Sequence, residues 1–218
     1  MEINVQGRGN EYFTPNEVIL NIEFKEKGKT YDEVLIKGMM QVQNFVNELL
    51  IKNGFNQEDM KTRNILIEED QKYDKETHQY IFKGYIFKQN ANIKFAYAKE
   101  LMAVIIEDLA KIDNPPVCRF NFGIKDEKEC QKRILTKAYQ DAELQAQAIA
   151  EASGKVLKQC LKADYKPFTT NYISHSQLQS EEMYSSASRL GIASKVVNTF
   201  TPEDIELSET LDCLWIAE

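Results

Sequence analysis

From residue 18 the chain alternates: Val18, Leu20, Ile22 and Phe24 are separated by polar residues, the period-two signature of a strand with one face in a core. At Thr30 the period lengthens. Thr30-Tyr31-Asp32-Glu33 has the form of a capping box, in which hydroxyl and carboxylate satisfy backbone N–H groups at a helix start. Leu35, Met39, Val42, Val46 and Leu49 follow at helical spacing as the predicted buried stripe, and Asn53-Gly54 supplies a left-handed stop. Strand patterning returns over 63–69, around Ile65, Leu66 and Ile67. A polar hairpin loop is predicted at 74–79, and a long strand over 80–93 carries Tyr80, Phe82, Tyr85 and Phe87. A second helix is predicted from 95 to 110, with Leu101, Met102, Ile105 and Leu109 inward, ended by Asn114-Pro115-Pro116. Cys118, Phe120, Phe122 and Ile124 then alternate with Arg119, Asn121 and Gly123 as a strand with one wet face.

The order from Val18 to Ile124 is strand, helix, strand, strand, helix, strand, the split β-α-β module of ferredoxin-like folds. Outside it, residues 3–8 read as a short strand closing on Gly7-Arg8-Gly9, and 12–16 as a turn. Asp126-Glu127-Lys128-Glu129 is a second capping box. It opens an alanine-rich helix with Ile134, Ala138, Ala142, Gln145, Ile149 and Ala152 on its packed side, closed by Ser153-Gly154. Strands are predicted over 156–163 and 207–217, the last with Leu211, Cys213 and Trp215 on one face. The expected architecture is therefore α+β: a ferredoxin-like core over about 14–125, and a smaller lobe of a long helix and antiparallel strands from 1–13 with 126–218. With no Gly- or Pro-rich linker between them, these are lobes of a single domain. The Ser-, Gln- and Thr-rich segment 165–202 lacks sustained periodicity. It reads either as a flexible surface loop or as a mobile arm that docks on a neighbouring subunit, with Met183, Tyr184, Leu190 and Val197 as interface residues.

Composition narrows the chemistry. The 218 residues include 27 Lys and Arg against 34 Asp and Glu, a formal charge of −7, and the pI is about 5.1. Without a Lys/Arg run longer than two, a nucleic-acid partner is not expected, because phosphate binding needs a positive surface. No stretch approaches the ~18 apolar residues of a membrane span. The opening Met1-Glu2-Ile3-Asn4-Val5 lacks a secretory pattern, so a soluble, cytoplasmic protein is expected, or an envelope or extracellular one if a leader has been removed. Four cysteines lie without any C-x-x-C, and His78 and His175 are remote from them, so no metal site is expected. Cys118, Cys160 and Cys213 sit in strand-like stretches and read as small buried hydrophobes.

Gly7-Arg8-Gly9 lacks the third glycine and immediate helix of a dinucleotide site and reads as a strand-end turn or bulge; no cofactor is expected. Glu68-Glu69-Asp70 alternate between strand faces, so at most two could converge. Neither histidine has an orienting carboxylate and nucleophile nearby in sequence, and no catalytic residue is expected.

Ile3-Asn4-Val5-Gln6-Gly7-Arg8-Gly9, followed by Pro15 just before a strand, resembles the opening of the SIMPL-domain family. Lys29-Thr30 at the first helix, Asn53-Gly54-Phe55 with Glu58-Asp59-Met60-Lys61-Thr62, and Gly84-Tyr85 fit the same pattern. So do Ala138-Tyr139-Gln140-Asp141-Ala142 leading to Ala150-Glu151-Ala152-Ser153-Gly154, and the closing Thr201-Pro202-Glu203-Asp204-Ile205-Glu206-Leu207. The resemblance implies an α+β fold and carries no established catalytic residues; some relatives are linked to large oligomers, stress tolerance or adaptor roles. Asn16 stands where the family commonly has an acidic residue. The reading that follows is a non-enzymatic, self-associating structural or interaction protein, a homo-oligomer with a possible further protein partner. The alternative is a small-ligand binder or unrecognised enzyme with a pocket between helices and sheet, lined by inward-turned Tyr85 or Arg119.

Overall fold

The computed structural model describes residues 1–166, 178–179 and 201–218; Met183, Tyr184, Leu190, Val197 and His175 lie outside them. In chain order the elements are β1 (Glu2–Phe13), β2 (Glu17–Gly28), α1 (Tyr31–Phe45), β3 (Lys61–Asp74) and β4 (Gln79–Ala96). After them come α2 (Lys99–Leu109), β5 (Val117–Gly123), α3 (Glu127–Ala152), β6 (Leu157–Asp164), the two-residue β7 (Leu178–Gln179) and β8 (Ile205–Ala217). The result is α+β, and it divides into two compact units.

The unit spanning Asn16–Gly123 contains an antiparallel sheet in the order β3-β4-β2-β5, with β7 beside β5. That is the split β-α-β order expected from the sequence. Thr30 caps α1, its hydroxyl accepting from the Glu33 N–H at 3.3 Å, while the Glu33 carboxylate accepts from the Lys29 N–H at 2.8 Å. The buried stripe of α1 differs from the predicted one. Val34, Gly38, Gln41 and Phe45 face the core, and Met39 is 62% exposed. The cause is Gly38: a Cβ there would stand 2.3 Å from the Phe87 ring, so the helix turns its bare position onto an aromatic side chain of the sheet. One π turn, Val46–Leu50, then brings Val46, Leu49 and Leu50 inward together, and Gly54 at φ +81° ends the run as predicted.

Gln41 is buried but satisfied: it accepts from the Lys25 N–H at 3.2 Å and donates to the Asn114 carbonyl at 3.1 Å. Helix α2 begins at Lys99 rather than 95, because Phe95 and Ala96 still pair with Val18 and Glu17 in the β2–β4 ladder. Asp108, 5% exposed near its end, receives hydrogen bonds from Lys52 at 2.9 Å, Asn53 at 3.2 Å and Lys111 at 3.3 Å. Burial alone would raise the Asp108 carboxyl; these three donors outweigh it and hold the pKa below the ordinary range.

The other unit is assembled from Met1–Pro15, the chain beginning at Ile124, and Glu203–Glu218. Its sheet has the order β1-β8-β6, antiparallel throughout. Strand β1 runs unbroken to Phe13, pairing from Glu2↔Ile216 to Phe13↔Ile205. Gly7 and Gly9 are therefore mid-strand, neither a strand-end turn nor a bulge, and Tyr12-Phe13 continue the ladder where the sequence suggested a turn. Both glycines lie under α3: a Cβ at Gly7 would be 2.0 Å from the Ala138 carbonyl oxygen, and one at Gly9 2.1 Å from that of Ile134. The packed stripe of α3 is Cys130, Ile134, Ala138, Ala142, Ala146 and Ala150, a strict four-residue repeat. The predicted members Gln145, Ile149 and Ala152 face solvent. Bare strand positions opposite alanine let helix and sheet close to backbone contact, and this geometry outweighs the burial Ile149 would gain.

Candidate functional site: an exposed strand edge and an aromatic hairpin

Among the described residues, β3 is an outer strand of its sheet, paired with β4 on one side only. It is 14 residues long. Such an edge presents unpaired N–H and C=O groups to a second strand, and most natural edges are shorter or heavily charged. Here the middle of the edge is Ile65, Leu66 and Ile67, with Ile65 60% and Leu66 47% exposed. The ladder shifts register between Thr62 and Asn64 and again between Asp70 and Gln71, so the apolar stretch lies between two irregularities that bend the strand.

Beyond the second shift β3 and β4 continue as a two-stranded ribbon through Tyr73↔Tyr80 and Asp74↔Gln79. The turn carries His78 at φ +54°, its Nδ1 3.0 Å from the Tyr73 hydroxyl. Aromatic rings line the ribbon. Tyr73 packs edge-on against Tyr80 at 5.3 Å, Phe82 against Tyr85 at 5.3 Å, and Tyr85 against Tyr31 of α1 at 5.9 Å. Tyr80 and Phe82 are 70% and 50% exposed. Gly84, at φ +137°, lets β4 lie against the end of β2: a Cβ there would stand 2.2 Å from the Gly28 carbonyl oxygen. Tyr85, expected to turn into a pocket, is half-buried, packing against the core on one side and against Phe82 and Tyr31 on the other.

The acidic trio falls on the same strand and is dispersed. Asp70 pairs with Lys27 at 2.6 Å, Glu68 with Lys88, and Glu69 accepts from Gln71 at 2.7 Å. Each carboxylate has its own donor, so the three form no acid–base pair. The space between helices and sheet, where a pocket was expected, is packed by Phe24, Phe45, Phe87, Met102 and Ile105, each under 2% exposed. A hollow of about 480 Å³ lies instead on the sheet's opposite face, lined by Asn21, Glu23, Arg63, Asn90, Arg119 and Asn121. Arg119 points into that wet face, 3.7 Å from Glu23. Asn90 donates to Asn64 at 2.9 Å, and the buried Oδ1 of Asn121 has no donor.

The cysteines follow the expectation in part. Cys118 and Cys213 are fully buried, and burial pushes their thiols up to about 12 and about 11. Cys160 is half-buried rather than enclosed, and Cys130, on α3, is buried as well.

Among the described residues no helix is long and apolar enough to cross a membrane, and no group of three or more metal-ligating side chains converges. A search of curated proteins finds no match. The family model described as "SIMPL: Protein of unknown function (DUF541)" matches residues 3–213. That span takes in both sheets, the glycine pair under α3 and the aromatic hairpin, and the chain belongs to the SIMPL family.

Proposed function

We propose that this protein works as a non-enzymatic, self-associating interaction protein whose outer strand and hairpin carry its role. The observation behind this reading is the 14-residue edge of β3 with Ile65 and Leu66 exposed at its centre, continuous with the ring row of Tyr73, Tyr80 and Phe82. A second copy added along β3 satisfies the edge hydrogen bonds, and the apolar side chains supply burial. At about 25 cal/mol per Å² of apolar surface, covering these side chains on both copies is a sizeable driving force for a symmetric pair. Light scattering coupled to gel filtration tests it. The wild type is expected at a discrete multiple of 25.2 kDa, and Ile65→Lys with Leu66→Lys moves it to the single-chain mass. A single-chain mass for the wild type at tens of micromolar refutes the reading.

A second reading rests on the amide-lined hollow: an orphaned acceptor on Asn121 beside Arg119 suits a small polar ligand with donor groups. A thermal-shift panel of polar metabolites tests it, since a ligand selective for the native state raises Tm. Hits lost in Asn121→Ala support this alternative, and a flat panel removes it.

A further inference from the structure

The charges of β3 are sorted by its apolar centre. Lys61 and Arg63 precede Ile65-Leu66-Ile67, and Glu68-Glu69-Asp70 follow it. Between the two register shifts, from Asn64 to Asp70, the ladder with β4 is regular. Asn64, Leu66 and Glu68 therefore point to one face of the sheet, and Ile65 and Ile67 to the other. On the first face the Asn64 Oδ1 accepts from Asn90 at 2.9 Å, which leaves the Asn64 NH2 group to donate elsewhere, and Glu68 is bonded to Lys88. On the second, Ile67 packs against the core while Ile65 is exposed.

A strand that is basic at its start and acidic at its end complements a reversed copy of itself. A parallel copy sets like charges side by side; an antiparallel copy sets Lys61 and Arg63 beside the acidic end of the second chain. Direction then constrains register. Residues directly opposite each other in an antiparallel pair share a face, so their positions differ by an even number, and a two-fold axis passes through a residue rather than between two. An axis at Ile65 sets Leu66 against Asn64 of the second copy, and an axis at Ile67 sets it against Glu68; both oppose apolar to polar. An axis at Leu66 sets Leu66 against itself, Ile65 against Ile67, and the Asn64 NH2 group against the Glu68 carboxylate of the second copy. We propose that two copies of this chain pair β3 to β3, antiparallel, with Leu66 on the two-fold axis. This rests on self-association through β3 and adds its direction and register. The contact occupies the β3 edge of both copies and so closes at two chains.

Single cysteines read the register directly, because opposite Cα atoms in an antiparallel pair lie about 4.5–5.5 Å apart, within the span of a disulfide. A Cys160→Ser background removes the one native thiol that is not buried. In it, mild oxidation is expected to convert Leu66→Cys to a covalent dimer on a non-reducing gel. Asn64→Cys alone is expected to stay a single chain, since its counterpart is four positions away, about 13 Å; mixed with Glu68→Cys it cross-links. Direction is tested with native cysteines by light scattering across a dilution series. Lys61→Glu and Glu69→Lys each weaken pairing about tenfold, because every contact occurs twice across the axis, and the double variant recovers most of the loss. An oligomeric wild type in which Asn64→Cys links to itself, or Leu66→Cys does not link, overturns the register and leaves self-association standing. A wild type at the single-chain mass overturns both. Should the cysteine variants fail to fold, the charge pair decides: a double variant no tighter than the singles overturns the antiparallel arrangement.

Discussion

Alanine at position 7 would place a methyl carbon 2.0 Å from the Ala138 carbonyl oxygen and 2.6 Å from the Ala142 amide nitrogen. Both atoms are helix backbone, so no side-chain rotation relieves the overlap. Restoring a carbon–oxygen separation of about 3.3 Å requires α3 to lift by about 1.3 Å. Ala138, Ala142, Ala146 and Ala150 are each 0% exposed along that seam. A packed methyl carries dispersion worth roughly 1.5 kcal/mol, and a gap of this size forfeits about half, so the four together lose about 3 kcal/mol. That lies at the upper end of ordinary overpacking costs. Trp215 is the only tryptophan, is 3% exposed and belongs to this unit, so its fluorescence follows the affected sheet directly. Gly7→Ala is expected to lower the fluorescence-detected Tm by about 6–12 °C. A Tm within about 2 °C of wild type refutes the close-packing account of the Gly7-Arg8-Gly9 motif. Gly54→Ala is the contrast: a Cβ there meets nothing within 4 Å, and only the φ of +81° is strained, costing about 1 kcal/mol.

Gly38→Leu drives a branched side chain into the Phe87 ring, 2.3 Å from where its Cβ must sit, and is expected to cost about 3 kcal/mol or more, read as a fall in the urea midpoint. Asp108→Asn keeps the shape but removes the charge that Lys52 and Lys111 bind, a loss of about 1–2 kcal/mol at neutral pH. Because the folded pKa of Asp108 is lowered, its stabilisation is fully present above the ordinary carboxylate range and is lost as pH falls through the folded value. The gap between wild type and Asp108→Asn in urea titrations should therefore close at acid pH; a gap that persists there contradicts the assignment. Native thiol titration should register Cys160 quickly and the other three cysteines only after unfolding, since Cys118, Cys130 and Cys213 are buried.

The element order was legible because local signals agreed with it. Thr30 and Asp126 cap their helices, Gly54 and Gly154 take left-handed conformations, and alternation marks β2, β5 and β8. Helix faces were less legible. Hydropathy credits Met39 and Ile149 for burial, but Gly38 and Ala146 win those faces because close approach rewards small residues that a hydrophobic stripe overlooks. The candidate surface left a weak trace: Ile65-Leu66-Ile67 breaks alternation, and that run does not distinguish an enclosed strand from an uncovered edge.

Strand β8 lies between β1 and β6, pairing the earliest strand of the chain with a much later one, and the Met1 amino group reaches the Ala217 carbonyl at 2.7 Å. During synthesis β2, β3, β4 and β5, all within the unbroken stretch Asn16–Gly123, can pair while later residues are still being joined. The three-stranded sheet must wait for its middle member, which the ribosome delivers after both flanks. Until then β1 offers a bare ladder beside Ile3 and Val5. Protection of nascent chains by a holding chaperone is therefore expected to matter most in the interval before residue 205 emerges.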